Sequence, residues 1–225
     1  MEKRPGKIRL ILRKVYVWMR RIYISQCVKG SNISIISNNC MGAEISHNLG
    51  MRFNSPIVNL QIMPEDYIRF CSNLIHYLSE DIQECVDFTQ RQRQMIKKEF
   101  GREAEELSFP FGICDDILIA FQHYLSFDKA KEDWERRRSR VDLSHCGVIL
   151  TVDDKYKKEA MAFDRLGYTN KILLAVNWSP QLPNTRTASL YKPSGIHYFE
   201  YYSTFKKYYE RNFNIAAWVM ELAKD

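Results

Sequence analysis

The residues best suited to chemistry fall in four short stretches. In Ser37-Asn38-Asn39-Cys40-Met41-Gly42, two carboxamides each offer a donor and an acceptor, Gly42 permits close backbone approach to a ligand, and Cys40 is a candidate nucleophile with His47 as its base. The competing reading is an Asn-rich turn around a buried thiol. In Phe121-Gln122-His123-Tyr124, His123 is a candidate general base. Asp128 follows it at the His-x-x-x-x-Asp spacing of glycerolipid acyltransferases, in which the carboxylate orients the imidazole. That spacing arises easily by chance, the downstream Gly-containing motif of those enzymes is absent, and Asp128 is more simply an acid in the first turn of a helix. In Trp134-Glu135-Arg136-Arg137-Arg138-Ser139-Arg140, Arg137 and Arg140 are candidates to grip a phosphate or diphosphate in bidentate fashion. The plain alternative is a solvated helix pairing its arginines with Glu132, Asp133 and Glu135. Asp153-Asp154 end an apolar run, where a metal-dependent glycosyltransferase holds Mn²⁺ or Mg²⁺ against a nucleotide diphosphate. Helix capping is the simpler role for them.

These stretches border elements legible in the hydrophobic pattern. Ile33 to Ser37 and Ile57 to Ile62 read as short buried strands, as do Ile117 to Phe121, Val148 to Val152 and Ile172 to Val176. Pro64 opens a helix carrying Tyr67, Ile68, Cys71, Leu74, Ile75 and Leu78 at helical spacing, with Glu65 and Asp66 in its first turn. Phe127 to Arg140, with Ser126 as N-cap, and Asp154 to Arg165 read as polar helices. Tyr198, Tyr201, Tyr202, Phe205, Tyr208 and Tyr209, then Ile215, Trp218, Val219 and Leu222, predict two C-terminal helices whose tyrosines form a core face. Ser79 to Ser108 is charged and partly helical in pattern, without a definite assignment. Strands alternating with helices predict a layered α/β fold, a mixed sheet flanked by helices. In open α/β sheets ligands bind outside the carboxyl ends of strands. Asn38 and His123 each follow a strand, so they are expected at one rim, sharing a cleft with Arg137.

Composition narrows the class. A chain of 225 residues with 45% apolar side chains and no internal repeat folds as a globule rather than a solenoid or a disordered chain. The nine glycines form no dinucleotide fingerprint, P-loop or nucleophile elbow. No two of the six cysteines are close enough to share a metal, so no metal site is expected and a reducing, cytoplasmic compartment is the simplest reading. The longest uncharged runs are 14 residues, short of the roughly 18 a membrane-spanning helix needs.

The net charge of +6 is unevenly placed. Residues 1–30 carry nine Lys or Arg against one acid, whereas residues 31–225 carry 24 basic and 26 acidic side chains. A body with that balance is not a nucleic-acid binder. The chain thus divides into a basic N-terminal segment, 1–30, and a single α/β domain, 31–225. Wound at about 100° per residue, Ile8 to Tyr23 forms an amphipathic helix with an apolar arc around Ile8, Ile11, Val15, Trp18, Met19 and Ile22. Lys7, Arg9, Arg13, Lys14, Arg20 and Arg21 lie outside that arc. The pattern suits a helix lying in the headgroup region of an anionic membrane, and equally a helix packing its apolar face on the body.

Four segments, ISNNCMGAEISHNLGMRFNSP (36–56), FPFGICDDILIAFQHYLS (109–126), KAKEDWERRRSRVD (129–142) and FDRLGYTNKIL (163–173), resemble the bacterial family called domain of unknown function 1919. Its members are labelled exopolysaccharide or capsule biosynthesis proteins and sometimes acetyltransferases. The resemblance spans about residues 30 to 180 and includes Ser37, Asn38, Asn39, Cys40, Gly42, Asp116, His123, Tyr124, Trp134, Arg137 and Arg140. Met41 and Ala43 depart from the Trp and Gly of the family's first motif. The resemblance implies a protein of surface-polysaccharide synthesis, peripheral on the cytoplasmic membrane face, that transfers an acyl group to a saccharide or lipid-linked sugar, with acetyl-coenzyme A as candidate donor. His123, Asp116 and Cys40 are then the candidate catalytic residues, and Asn38, Asn39, Gly42, Arg137 and Arg140 the candidate substrate-binding residues. Asp116 fits least well, because it precedes the strand that His123 follows. A metal-dependent glycosyl or phosphosugar transferase and a non-catalytic assembly partner are the competing readings.

Overall fold

The computed structural model describes residues 6–191, 197, 199–201, 203 and 205–224. Its longest apolar runs become a parallel sheet. β1 (Ser34–Ser37), β6 (Cys146–Val152), β7 (Lys171–Val176) and β8 (Arg186–Leu190) pair in that order, all parallel. Strands covered on both faces need apolar residues throughout, and the alternating Cβ directions divide them between two cores. Ile35, Ile149, Ile172 and Leu174 face α2 (Met41–Leu49) and α8 (Ile215–Leu222), meeting Met41, Ile45, Trp218 and Leu222. Ile36, Val148, Leu150 and Leu173 face the opposite way, toward Tyr67 and Phe70 of α3 (Pro64–Ser72), Trp134 of α6 (Phe127–Arg138) and Phe163 of α7 (Lys157–Asp164).

Antiparallel pairing is segregated in a second sheet, β2 (Gln61–Ile62), β5 (Ile117–Ala120), β4 (Phe111–Cys114) and β3 (Ile82–Glu84). The Asp115-Asp116 turn joins β4 to β5, and Asp115 takes φ 53°, a left-handed conformation that Asp tolerates. Helix α3 lies between the sheets, and its fully buried Asp66 accepts the Leu118 backbone N–H at 2.8 Å and pairs with Arg69 and Arg91. The far face of the second sheet packs Phe111, Leu118 and Ala120 against Met95 and Ile96 of α5 (Gln90–Phe100). The layered α/β architecture with flanking helices is therefore present, with parallel and antiparallel strands in separate sheets.

Several elements differ from the sequence pattern. The helix opened by Pro64 breaks at Asn73 and resumes as α4 (Leu74–Ser79). The partly helical stretch Ser79 to Ser108 contains β3 and α5, the latter started by a Thr89–Gln92 capping box. Ser126 occupies the N-cap position of α6 without making a side-chain capping bond, whereas Asp153 does cap, accepting the Lys155 N–H at 3.2 Å. The described residues of the tyrosine-rich segment form no α-helix: Tyr201 bridges Lys207, a 3-10 turn covers Tyr208–Glu210, and Tyr198 and Tyr202 lie outside the described residues. Helix α8 follows as expected. Two glycines allow unusually close packing. A Cβ on Gly42 would stand 2.8 Å from the Ile35 carbonyl oxygen, and one on Gly147 would stand 2.4 Å from the Trp218 ring. Among the described residues, no helix is long and apolar enough to cross a membrane.

Candidate active site

Where β1 ends, its neighbour β6 continues, and Asn38 resolves the mismatch. Its side-chain N–H donates to the Thr151 carbonyl at 3.1 Å and its Oδ1 accepts the Thr151 N–H at 2.8 Å, so the carboxamide extends the ladder by one peptide equivalent. The Asn38 carbonyl accepts the Ile62 N–H at 2.9 Å, which ties the second sheet to the first. With 1% exposure and both amide atoms engaged, Asn38 is turned into the protein and not toward a ligand. Ser37 Oγ accepts the Gly42 N–H at 2.9 Å, and Asn39 Oδ1 accepts the Met41 N–H at 3.0 Å, which starts α2 directly after the strand.

That start fixes the outer face of α2. Cys40, Ala43, Glu44 and His47 recur at helical spacing and form one wall of a cleft of about 530 Å³. Val58 and Asn59 from the loop before β2, with His123, Arg137 and two aromatic rings, Phe53 and Phe199, line the rest of it. His123 is held by its backbone, whose N–H donates to the Asn59 carbonyl at 3.2 Å, and Asn59 itself takes φ 64°. The His123 and Asn59 side chains are both exposed. The structure thus brings Cys40, His123 and Arg137 together at one rim.

Arg137 is almost wholly buried and pre-positioned. One Nη donates to the Tyr124 hydroxyl at 2.7 Å and the Val58 carbonyl at 3.2 Å, while the other donates to Asp133 Oδ2 at 3.0 Å. Burial opposes ionisation of Asp133, yet Arg136, Arg137 and the Tyr124 hydroxyl together hold its carboxyl below the usual range. Around this pair the charge is unbalanced. Burial and the neighbouring Arg52, Arg136 and Arg137 depress the ionisation of Arg140. Asp133 pairs with Arg136 and Arg137, but no carboxylate among the described residues pairs with Arg52 or Arg140. Arg140 belongs to the segment whose carbonyl accepts from Asn32 Nδ2, and Arg52 lines a smaller hollow beside that same Asn32.

The other sequence candidates are placed elsewhere. Asp116, in the β4–β5 turn, lies at the opposite end of β5 from His123, accepts from the Tyr77 hydroxyl at 2.7 Å and pairs with Arg69. Asp128 is an exposed acid in the first turn of α6, with no hydrogen bond to His123. Asn39 lines a separate cleft of about 170 Å³ with Gln61, Glu99, Asp153, Lys155 and Tyr156. There, Glu99 accepts from the Tyr156 hydroxyl at 2.5 Å and from Gln61, and burial with Glu99 close by pushes the Tyr156 phenol far up. Asp153 and Asp154 pair with Lys155 and Lys157, and no group of three His, Cys, Asp or Glu suited to a metal occurs among the described residues. Burial pushes the Cys40 thiol up, with Glu44 adding to it, against hydrogen bonds from the Asn59 and Leu60 backbone. Burial thus disfavours the thiolate at Cys40, which lines the cleft.

The cleft also contains residues that sequence reasoning passed over, namely Glu44, Phe53 and Asn59. The helical spacing of Cys40, Glu44 and His47 was the available signal for the first. Phe53 and Asn59 lie in an irregular loop with no periodicity to read.

Residues 13–220 match the family described as domain of unknown function (DUF1919). The chain belongs to this family. An uncharacterized protein of Haemophilus influenzae is 31% identical over 159 residues, covering 68% of this chain and 68% of its own length. The family assignment extends past both ends of the four segments, to include most of the N-terminal helix Lys7–Cys27 and of α8.

Proposed function

We propose that this member of the DUF1919 family is a transferase of surface-polysaccharide synthesis that moves an acyl group onto a phosphate-bearing saccharide at the cytoplasmic membrane face. The observation that supports this reading is the cleft itself, where an exposed and unpartnered His123 shares the lining with buried Arg137, and Arg137 in turn neighbours Arg140 and, through it, Arg52, two guanidinium groups that no described carboxylate pairs with. A sugar hydroxyl is a poor nucleophile until a base takes its proton, and a neutral imidazole at physiological pH is suited to that task. His123 accepts the hydroxyl proton, and the Asn59 carboxamide, exposed on the same wall, replaces Asn38 as the candidate donor to a developing oxyanion. Arg137 is locked by three internal hydrogen bonds and shapes the floor, leaving Arg140 and Arg52 to meet phosphate oxygens. Acetyl-coenzyme A suits this donor set, because its phosphates match guanidinium groups without a carboxylate partner and its thioester supplies an activated acyl carbon: the hydroxyl oxygen bonds to that carbon, the C–S bond breaks, and the departing thiolate takes the proton held on His123.

Ligand-linked unfolding tests the reading. Acetyl-coenzyme A at a hundredfold excess over its Kd should stabilise the protein by about 2.7 kcal/mol, and Arg52→Ala with Arg140→Ala should remove most of that shift. His123→Ala should keep the shift and lose turnover by about 10²–10⁴-fold. A shift with a nucleotide sugar that requires Mn²⁺, with none for acetyl-coenzyme A, would replace this reading with metal-dependent glycosyl transfer. No shift with either ligand would point to an assembly partner.

A further inference from the structure

Helix α1 (Lys7–Cys27) is mounted on the body by the side that an ordinary amphipathic helix turns to water. Arg20 pairs with buried Glu210, Arg21 donates to the His47 carbonyl at 2.8 Å, and the Arg13 guanidinium lies 4.0 Å from the Tyr201 ring centre. Tyr16 contacts Phe205 with ring centres 4.9 Å apart, and Ile24 is the one buried apolar residue of the helix. Residues 13, 16, 20, 21 and 24 recur at helical spacing and define the face that packs on the body. The apolar arc is consequently left outside. Ile8, Ile11 and Trp18 are 74%, 61% and 63% exposed, and Val15, Met19 and Ile22 are exposed beside them. The reading in which the apolar face packs on the body is thus overturned, because α1 rests on the body by its cationic side.

We infer that this outward arc seats the protein on an anionic lipid bilayer, with α1 parallel to the surface. An exposed apolar face of this size on a folded chain marks an interaction site, and its borders identify the occupant. On the helical wheel Lys7 and Lys14 flank Trp18 on one side of the arc and Arg9 closes the other, and none of the three has a carboxylate partner among the described residues. Cations bordering an apolar strip that includes Trp match the layering of a bilayer, where acyl chains lie beneath phosphate and carboxylate headgroups. A second copy meeting this face through its own would bring the two sets of cations together. Among the described residues, no helix is long and apolar enough to cross a membrane, so α1 is placed along the surface.

Vesicle co-sedimentation of the full chain at low salt tests the inference independently of the cleft chemistry. The protein should sediment with phosphatidylcholine vesicles containing about 30% phosphatidylserine and stay in solution with phosphatidylcholine alone. Lys7→Gln with Arg9→Gln and Lys14→Gln should weaken partitioning about a hundredfold, at ~1 kcal/mol per charge near the surface. Trp18→Glu with Ile22→Glu should abolish it, and both variants should keep the wild-type melting temperature because every altered position is exposed. Equal sedimentation of wild type and variants, or no preference for anionic vesicles, overturns the inference. So does a dimer in analytical ultracentrifugation that Trp18→Glu with Ile22→Glu dissociates.

Discussion

Replacing Asn38 by Ala separates a structural clamp from a ligand-binding residue. The carboxamide satisfies the Thr151 N–H at 2.8 Å and the Thr151 carbonyl at 3.1 Å, in a position 1% exposed where water does not substitute for it. Removing it strands one buried donor and one buried acceptor, each costing about 1–3 kcal/mol. Some relaxation of the strand end offsets part of this, so a loss of about 3 kcal/mol is expected, or roughly 6–12 °C in melting temperature for a chain of this size. Urea unfolding should show a lower midpoint with an unchanged slope, since the surface exposed on unfolding does not change. Asn39→Ala removes one helix-start bond to the Met41 N–H and should cost only about 1 kcal/mol. If Asn38→Ala unfolds like the wild type but no longer responds to acetyl-coenzyme A, the carboxamide serves a ligand and the clamp is refuted.

Three further outcomes follow from the packing and the ionisation of buried groups. Gly147→Ala forces a methyl group to within 2.4 Å of the Trp218 ring, between β6 and α8, and should cost about 1–3 kcal/mol in denaturant unfolding; an unchanged midpoint would show that α8 shifts freely. In a Cys27→Ser background, which removes the exposed cysteine, Cys40 should react with iodoacetamide more slowly than a free thiol at neutral pH and accelerate only as pH rises past the ordinary cysteine range, while Cys40→Ser keeps activity. Burial opposes ionisation of Asp164, yet the Thr185 hydroxyl, Asn184 and Lys171 hold its carboxyl below the usual range. With the folded value depressed, its contribution is present above the ordinary carboxylate range and is lost as pH falls through the folded value. Asp164→Asn should therefore flatten the acid limb of the stability curve, and an unaltered limb would refute that role.

Three of the four parallel strands, β1, β6 and β7, were legible in the sequence because a strand buried on both faces must be apolar along its whole length, as in Val148–Val152 and Ile172–Val176. Pro64 with two acids behind it marked a helix start for equally local reasons. The strands that were missed, β3, β4 and β8, are short or partly polar, and pairing with a neighbour rather than their own composition makes them strands. The tyrosine spacing after residue 197 imitated a helix, but aromatic side chains meet a core from irregular backbone just as well.

For the site, Asn38 and His123 were expected at one rim as the ends of parallel neighbours, but β1 and β5 belong to different sheets, and the Ile62 N–H bond to the Asn38 carbonyl, the His123 N–H bond to the Asn59 carbonyl and the placing of α6 are what bring Cys40, His123 and Arg137 to one cleft. The uses of Asn38 and Asp116 were not encoded in their neighbours along the chain. Asn38 is consumed by Thr151, and Asp116 is turned toward Tyr77 and Arg69. The face on which α1 rests was likewise undetermined by its own amphipathic pattern, because Glu210, the His47 carbonyl and Tyr201 lie far away in the chain. A hydrogen bond or ion pair needs two partners, and local sequence names only one of them; the partner, and with it the role of the residue, is set when folding brings distant segments together.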